Sequence, residues 1–173
     1  MPPKKKGKKG SRTPPSVVLD PTWVEVKSIR GKGKGLVAAQ EIPANARLQY
    51  DGVTINEAEY NRLCTLSHND TNNVGYVNYV MATGKAGQYI DAHPRHAGSE
   101  NWIGGRVNEP APKQTANMVI KLQNKLPILI TTRKINAGDE LMVKYTRQGD
   151  HYVRPYKAGR QARLPKWLDS SKS

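Results

Sequence analysis

From Trp23 to Tyr145 the sequence is a succession of short apolar or alternating runs, each stopped by glycine, proline, asparagine or aspartate. A chain punctuated this way can bury apolar surface only by pairing short strands into small sheets, so a mainly β fold with few short helices is expected. Trp23 to Lys27 alternates apolar and polar residues, and Leu36 to Ala39 is a short apolar run followed by a turn at Ile42 to Ala46. Arg47 to Ile55 is strand-forming but split by Asp51-Gly52. Tyr76 to Met81 and Gln88 to Ala92 flank a glycine-containing turn, and His93 to Gly105 reads as loop with one helical turn. Met118 to Gln123 and Pro127 to Thr132 form another strand pair around Asn124-Lys125, and Leu141 to Tyr145 is the last strand. The helix candidate is Asn56 to Leu63, where Asn56 caps and Glu59, three residues on, completes a capping box. No internal repeat or heptad pattern is visible.

Charge is segregated. The net charge is +14 over 173 residues, yet residues 1–16 alone hold six bases (Lys4, Lys5, Lys6, Lys8, Lys9 and Arg12) and no acid. Residues 146–173 hold seven bases against Asp150 and Asp169, which leaves 15 bases and 12 acids between 17 and 145. A lysine block with almost no apolar residue cannot offset its ordering entropy, so residues 1–16 are expected to be a disordered basic tail outside the fold. Such a tail suits nucleic acid or a nuclear import receptor, or serves solubility alone.

Cys64 is the single cysteine, which excludes an intramolecular disulfide and a cysteine-rich zinc cluster and fits a reducing compartment. No apolar stretch approaches the ~20 residues of a membrane span. The lysine-rich start lacks the apolar segment of a secretory signal, so a soluble, intracellular and nuclear protein is expected, with no membrane partner. Nothing in the sequence sets the oligomeric state.

Four segments carry candidate chemistry. Gly31-Lys32-Gly33-Lys34-Gly35 lies between two strands, where glycines let backbone amides approach a carboxylate or phosphate. It is neither a P-loop nor a dinucleotide fingerprint, and by itself it reads as a hairpin turn or as a cofactor loop. Tyr50-Asp51-Gly52 is a strand tyrosine beside a turn. Arg106-Val107-Asn108-Glu109-Pro110 offers in Asn108 a side chain that both donates and accepts. Gly138-Asp139-Glu140-Leu141-Met142-Val143-Lys144-Tyr145 leads an acidic pair through a strand-like run to one tyrosine, where the globular composition stops.

In that order and at those separations, the four segments resemble the SET-domain protein lysine methyltransferases, over residues 23–145 and leaving both ends unmatched. The resemblance implies a SET-domain fold of short strands in small sheets, with few short helices and a knot-like C-terminal threading. It implies an enzyme that moves a methyl group from S-adenosylmethionine to a lysine side chain of a protein, a histone or other chromatin protein being the expected substrate. Tyr145 maps onto the catalytic tyrosine and Tyr50 onto the wall of the channel that admits the lysine. Lys32, Gly33, Lys34, Gly35, Tyr79, Asn108 and Glu109 map onto the cofactor site, and no metal is implied. The sequence departs from the family around Asn108: Arg106 is one place nearer the asparagine, Glu109 replaces a histidine, and Ala116-Asn117 stands where Pro-Asn is usual. Only a backbone contact is therefore carried over to Glu109.

Residues 17–146 are thus expected to form the SET domain and 147–173 a basic segment in which either one of His151, Tyr152, Tyr156 and Trp167 covers the active site without zinc, or the tail is disordered and leaves the channel open. A basic substrate requires acids such as Asp51, Asp91, Glu100 and Glu109 to gather near the groove. The rival expectation is a SET-like scaffold without activity that holds nucleic acid or chromatin through its basic ends.

Overall fold

The computed structural model describes residues 16–69 and 79–145. Turn chemistry divides the described residues into nine short strands and one α-helix. Their order is β1 (Val17–Val18), β2 (Val24–Ile29), β3 (Gly33–Ala38), β4 (Ala46–Gln49), β5 (Val53–Asn56), α1 (Glu57–Asn69), β6 (Val80–Ala82), β7 (Gln88–Asp91), β8 (Met118–Gln123) and β9 (Leu126–Thr131). The fold is mainly β, in three small sheets, as the punctuation of the sequence required.

One sheet is the β2-β3 hairpin, in register from Val24↔Ala38 to Ile29↔Gly33. Its turn is Arg30-Gly31-Lys32, so Gly33-Lys34-Gly35 opens a strand rather than forming a loop. The glycine-lysine alternation conceals this strand because it has no apolar period. A second sheet has the order β1-β4-β9-β8, parallel only at β1-β4. Its β8-β9 turn is Asn124-Lys125, both with positive φ (51 and 66), the handedness that suits a tight hairpin. The third sheet has the order β5-β7-β6. Helix α1 runs past Leu63 to Asn69; Asn56 Oδ1 accepts from the Glu59 amide at 2.9 Å. Glu59 does not close the capping box, because both its oxygens take the Arg62 guanidinium.

The expected last strand, Leu141 to Tyr145, is not a strand. Segment 138–143 is instead a strap that bonds to several partners in turn. Gly138 and Leu141 donate to Ala38 and Leu36 on the β3 side, at 2.8 and 2.9 Å. On the other side Val143 donates to the Asn108 carbonyl at 3.0 Å, and Met142 O accepts from Asn117 and Met118. Asn117, 1% exposed, adds its side chain: Oδ1 accepts from Met142 N and Nδ2 donates to Glu140 O, each at 2.8 Å. Leu141 and Val143 enter the main core with Leu36, Leu48, Tyr50, Val107, Met118, Leu129 and Ile135. Each such aliphatic side chain contributes roughly 1.5–3 kcal/mol by leaving water. A smaller cluster, Leu63 and Val80 with Ile55, Tyr60, Cys64 and Tyr89, seats α1 on the third sheet.

The basic ends, the start of the strand expected at Tyr76, and the aromatic cover expected from His151, Tyr152, Tyr156 and Trp167 lie outside the described residues. Among those described, no helix is long and apolar enough to cross a membrane.

Candidate active site

The strap delivers Tyr145 to the short segment Val107-Asn108-Glu109, and three consecutive residues there hold it. The Tyr145 hydroxyl donates to the Val107 carbonyl, Val143 N donates to the Asn108 carbonyl, and the Tyr145 amide donates to Glu109 Oε1 at 3.2 Å. Both ends of the tyrosine are thereby fixed.

Tyr50 approaches from the end of β4. Its hydroxyl donates to the Tyr79 carbonyl at 2.8 Å, an oxygen that also accepts from Ala92 N at 2.9 Å. Tyr79 packs on the main core and sets its ring edge-on to His93, centroids 4.9 Å apart. Two glycines let these pieces close: a Cβ on Gly104 would lie 2.6 Å from Gln49 O, and one on Gly105 would lie 2.8 Å from Ala92 Cβ. Burial holds the Tyr50 phenol well above the ordinary tyrosine range, with Tyr145, Asp91 and Tyr79 adding to it. Burial likewise raises Tyr145, assisted by Glu109 and Tyr79. The result is a pair of neutral phenols, Tyr50 and Tyr145, in a desolvated setting that favours a neutral group beside them over a charged one.

The other half of the site is polar. A Cβ on Gly35 would lie 2.5 Å from Asn108 Nδ2 and 3.2 Å from Glu140 Oε1, so glycine is what lets these side chains lie against β3. Asn108 Nδ2 donates to Glu140 Oε1 at 3.0 Å and to Lys34 O at 3.3 Å. Lys32 reaches across from the hairpin turn, donating to Glu140 Oε2 at 2.8 Å and to Gln114 Oε1 at 3.2 Å. Lys34 turns away, its ammonium on Ser28 Oγ.

The structure therefore brings together Lys32, Gly35 and Asn108, and places Tyr50, Tyr79 and Tyr145 around one another with the Glu109 side chain on Tyr145. Sequence reasoning missed Glu140 as a site side chain, though it stands in the acidic pair within the strap. It also missed Gln114, which had no signal, and the brace from Asn117, whose signal was its place in Ala116-Asn117. The expected gathering of acids is not general. Asp91, 0% exposed, is taken up by Arg95, by His96 Nε2 at 2.9 Å and by the His93 amide at 2.9 Å. Glu100 is exposed, while partial burial raises the Asp51 carboxyl against a side-chain hydrogen bond from Gln49. Among the described residues no group of three or more His, Cys, Asp or Glu is placed to hold a metal.

The SET-domain family model matches residues 33–146, about two thirds of the chain, from the first glycine of β3 to one residue past Tyr145. A comparison with curated proteins returned no match. The chain belongs to the SET-domain family, whose members are generally protein lysine methyltransferases that typically use S-adenosylmethionine.

Proposed function

We propose that the protein transfers a methyl group from S-adenosylmethionine to the side-chain amine of a lysine in a protein substrate, a histone or other chromatin protein. The observation that carries the reading is the seating of Tyr145. Its hydroxyl is held on Val107 O among Tyr50 and Tyr79, next to the polar half of the site.

The polar half suits the cofactor. S-Adenosylmethionine ends in an amino acid, with one ammonium and one carboxylate, and Lys32 and Glu140 present the opposite pair. Gly31 and Gly33 have nothing within 4 Å of where a Cβ would stand, so the hairpin tip offers open backbone. Asn108, Lys32, Gly33, Lys34, Gly35, Tyr79 and Glu109 are the residues we assign to holding it, Lys34 and Glu109 through their backbone only. The bound cofactor supplies a methyl group already activated on a sulfonium.

The chain's own contribution is to place the amine and to favour its neutral form, the proton passing to water as the lysine enters. A lysine entering among buried phenols loses solvation, which disfavours its ammonium form. Tyr145 presents its oxygen to orient the amine, and the Val107 carbonyl fixes that oxygen in place. Tyr50, fixed through Tyr79 O, narrows the channel. Positioning of this kind accounts for a large share of a barrier, and no general base is required.

The test is transfer of a labelled methyl group to histone-tail peptides by the full chain. Tyr145→Phe is expected to lower kcat roughly a hundredfold, the loss typical of one positioned polar contact at a reacting centre, while calorimetry finds cofactor affinity little changed. No cofactor binding by the unsubstituted protein would sink the enzyme reading. A nuclear location and nucleic-acid contact through the basic ends accompany this proposal; six bases in residues 1–16 with no acid favour it.

A further inference from the structure

The strap and Val107-Asn108-Glu109 begin a parallel ladder that cannot continue. Asn108 bridges Met142 in parallel, and Val143 N donates to Asn108 O at 3.0 Å. In a parallel pair the next rung would need the amide of residue 110 to reach Val143 O, and the amide of Tyr145 to reach the carbonyl of residue 110. Residue 110 is proline and has no amide to give. The Tyr145 amide is answered one residue early, by the Glu109 side chain at 3.2 Å.

Glu109 is also where this chain departs from its family's usual histidine. Resting on the methyltransfer reading above, we propose that Glu109 is a positioning residue: its carboxylate replaces the interrupted rung and fixes the backbone of Tyr145, so that the tyrosine hydroxyl seats on Val107 O. An imidazole is shorter and rigid; a glutamate reaches across to a backbone donor on the facing segment. The arrangement closes a small ring, Val107 O to Tyr145 hydroxyl, Tyr145 amide to Glu109 carboxylate, with two residues of chain completing it. The charge of the same carboxylate also disfavours phenolate at Tyr145, after burial. Other charged or titratable groups packed around the tyrosine are Tyr50, Tyr79 and, beyond Tyr50, Asp91.

The test pairs an exchange measurement with kinetics on the full chain. Hydrogen exchange of the Tyr145 amide, followed by NMR, reads the placement; kcat and KM for labelled methyl transfer to a histone-tail peptide read the effect. Glu109→Gln keeps an acceptor of the same reach and is expected to retain both protection and kcat. Glu109→Asp keeps the charge but falls one methylene short. It is expected to speed exchange about tenfold, as loss of a hydrogen bond to a charged group does, and to lower kcat roughly tenfold or more through misplacement, with KM little changed. Glu109→Ala is expected to exceed Glu109→Asp on both. Protection in Glu109→Asp equal to the unsubstituted protein overturns the proposal, as does a Glu109→Gln variant that loses kcat as fully as Glu109→Ala. Absence of methyl transfer by the unsubstituted protein overturns the methyltransfer reading instead, and leaves the exchange data to decide the placement.

Discussion

Four tyrosines, Tyr50, Tyr60, Tyr89 and Tyr145, have phenols raised above the ordinary range, with burial the leading cause in each. Below the ordinary tyrosine pKa of about 10 both folded and unfolded chains keep these protons, and the stability they contribute is intact. Above it the unfolded chain ionises while the folded chain does not, so stability drains away as pH climbs from about 10 toward the folded values. Phenolate absorbance from these four is therefore expected to appear late, coinciding with loss of far-ultraviolet circular dichroism. A single reversible titration of all eight tyrosines with the fold intact would contradict the burial described here. Asp91 is fully enclosed and bonds to the partly exposed Arg95 and His96, so removing either leaves a buried carboxylate short of a partner and is expected to lower the denaturant midpoint of unfolding. Tyr145 and Tyr50 were legible as candidate site residues because a side chain in a motif leaves a mark in the sequence. Val107 was not, because what it offers is a carbonyl, and every residue has one.

Among the elements, the β2-β3 hairpin and the strap meet at Gly35, and this position gives the sharpest prediction. In Gly35→Ala the new methyl would lie 2.5 Å from Asn108 Nδ2 and 2.8 Å from Ile29 Cγ1. Asn108 would have to leave Glu140 and Lys34 O, so the variant is expected to lose cofactor affinity at least tenfold by calorimetry and about 1–3 kcal/mol of stability by denaturant unfolding. Normal affinity in Gly35→Ala would mean that Asn108 does not contribute. Paired elements were read correctly where apolar alternation coincided with turn chemistry: β8 and β9 around Asn124-Lys125, and β7 after its glycine turn. Two elements were misread for a common reason. Gly33-Lys34-Gly35 has no apolar period yet pairs fully with β2, and Leu141 to Tyr145 has one yet pairs with no single strand. Pattern reports which side chains can be buried, while the partner of a backbone amide is decided by distant residues such as Asn117.

For the molecule as a whole, charge and fold are separate. The described residues mix acids with bases, whereas the basic surplus belongs to the two ends. If residues 1–15 neutralise phosphates, the full chain should bind double-stranded DNA with a steep salt dependence, and deleting them should flatten the slope of log K against log salt by about five, from six bases at ~0.9 each. The thermal transition is expected to stay in place, since the first strand begins at Val17. An unchanged slope would remove the amino-terminal segment from any nucleic-acid role.

The strap carries one more consequence, for biosynthesis. Leu141 and Val143 fill the same core as Leu36, and Glu140 meets Lys32 across 108 positions of sequence. A ribosome releases Lys32 long before Glu140, so a nascent chain stalled ahead of residue 138 has all nine described strands in hand and no way to complete its core. Native structure and the tyrosine that depends on it should arrive together, only once the strap has cleared the exit tunnel.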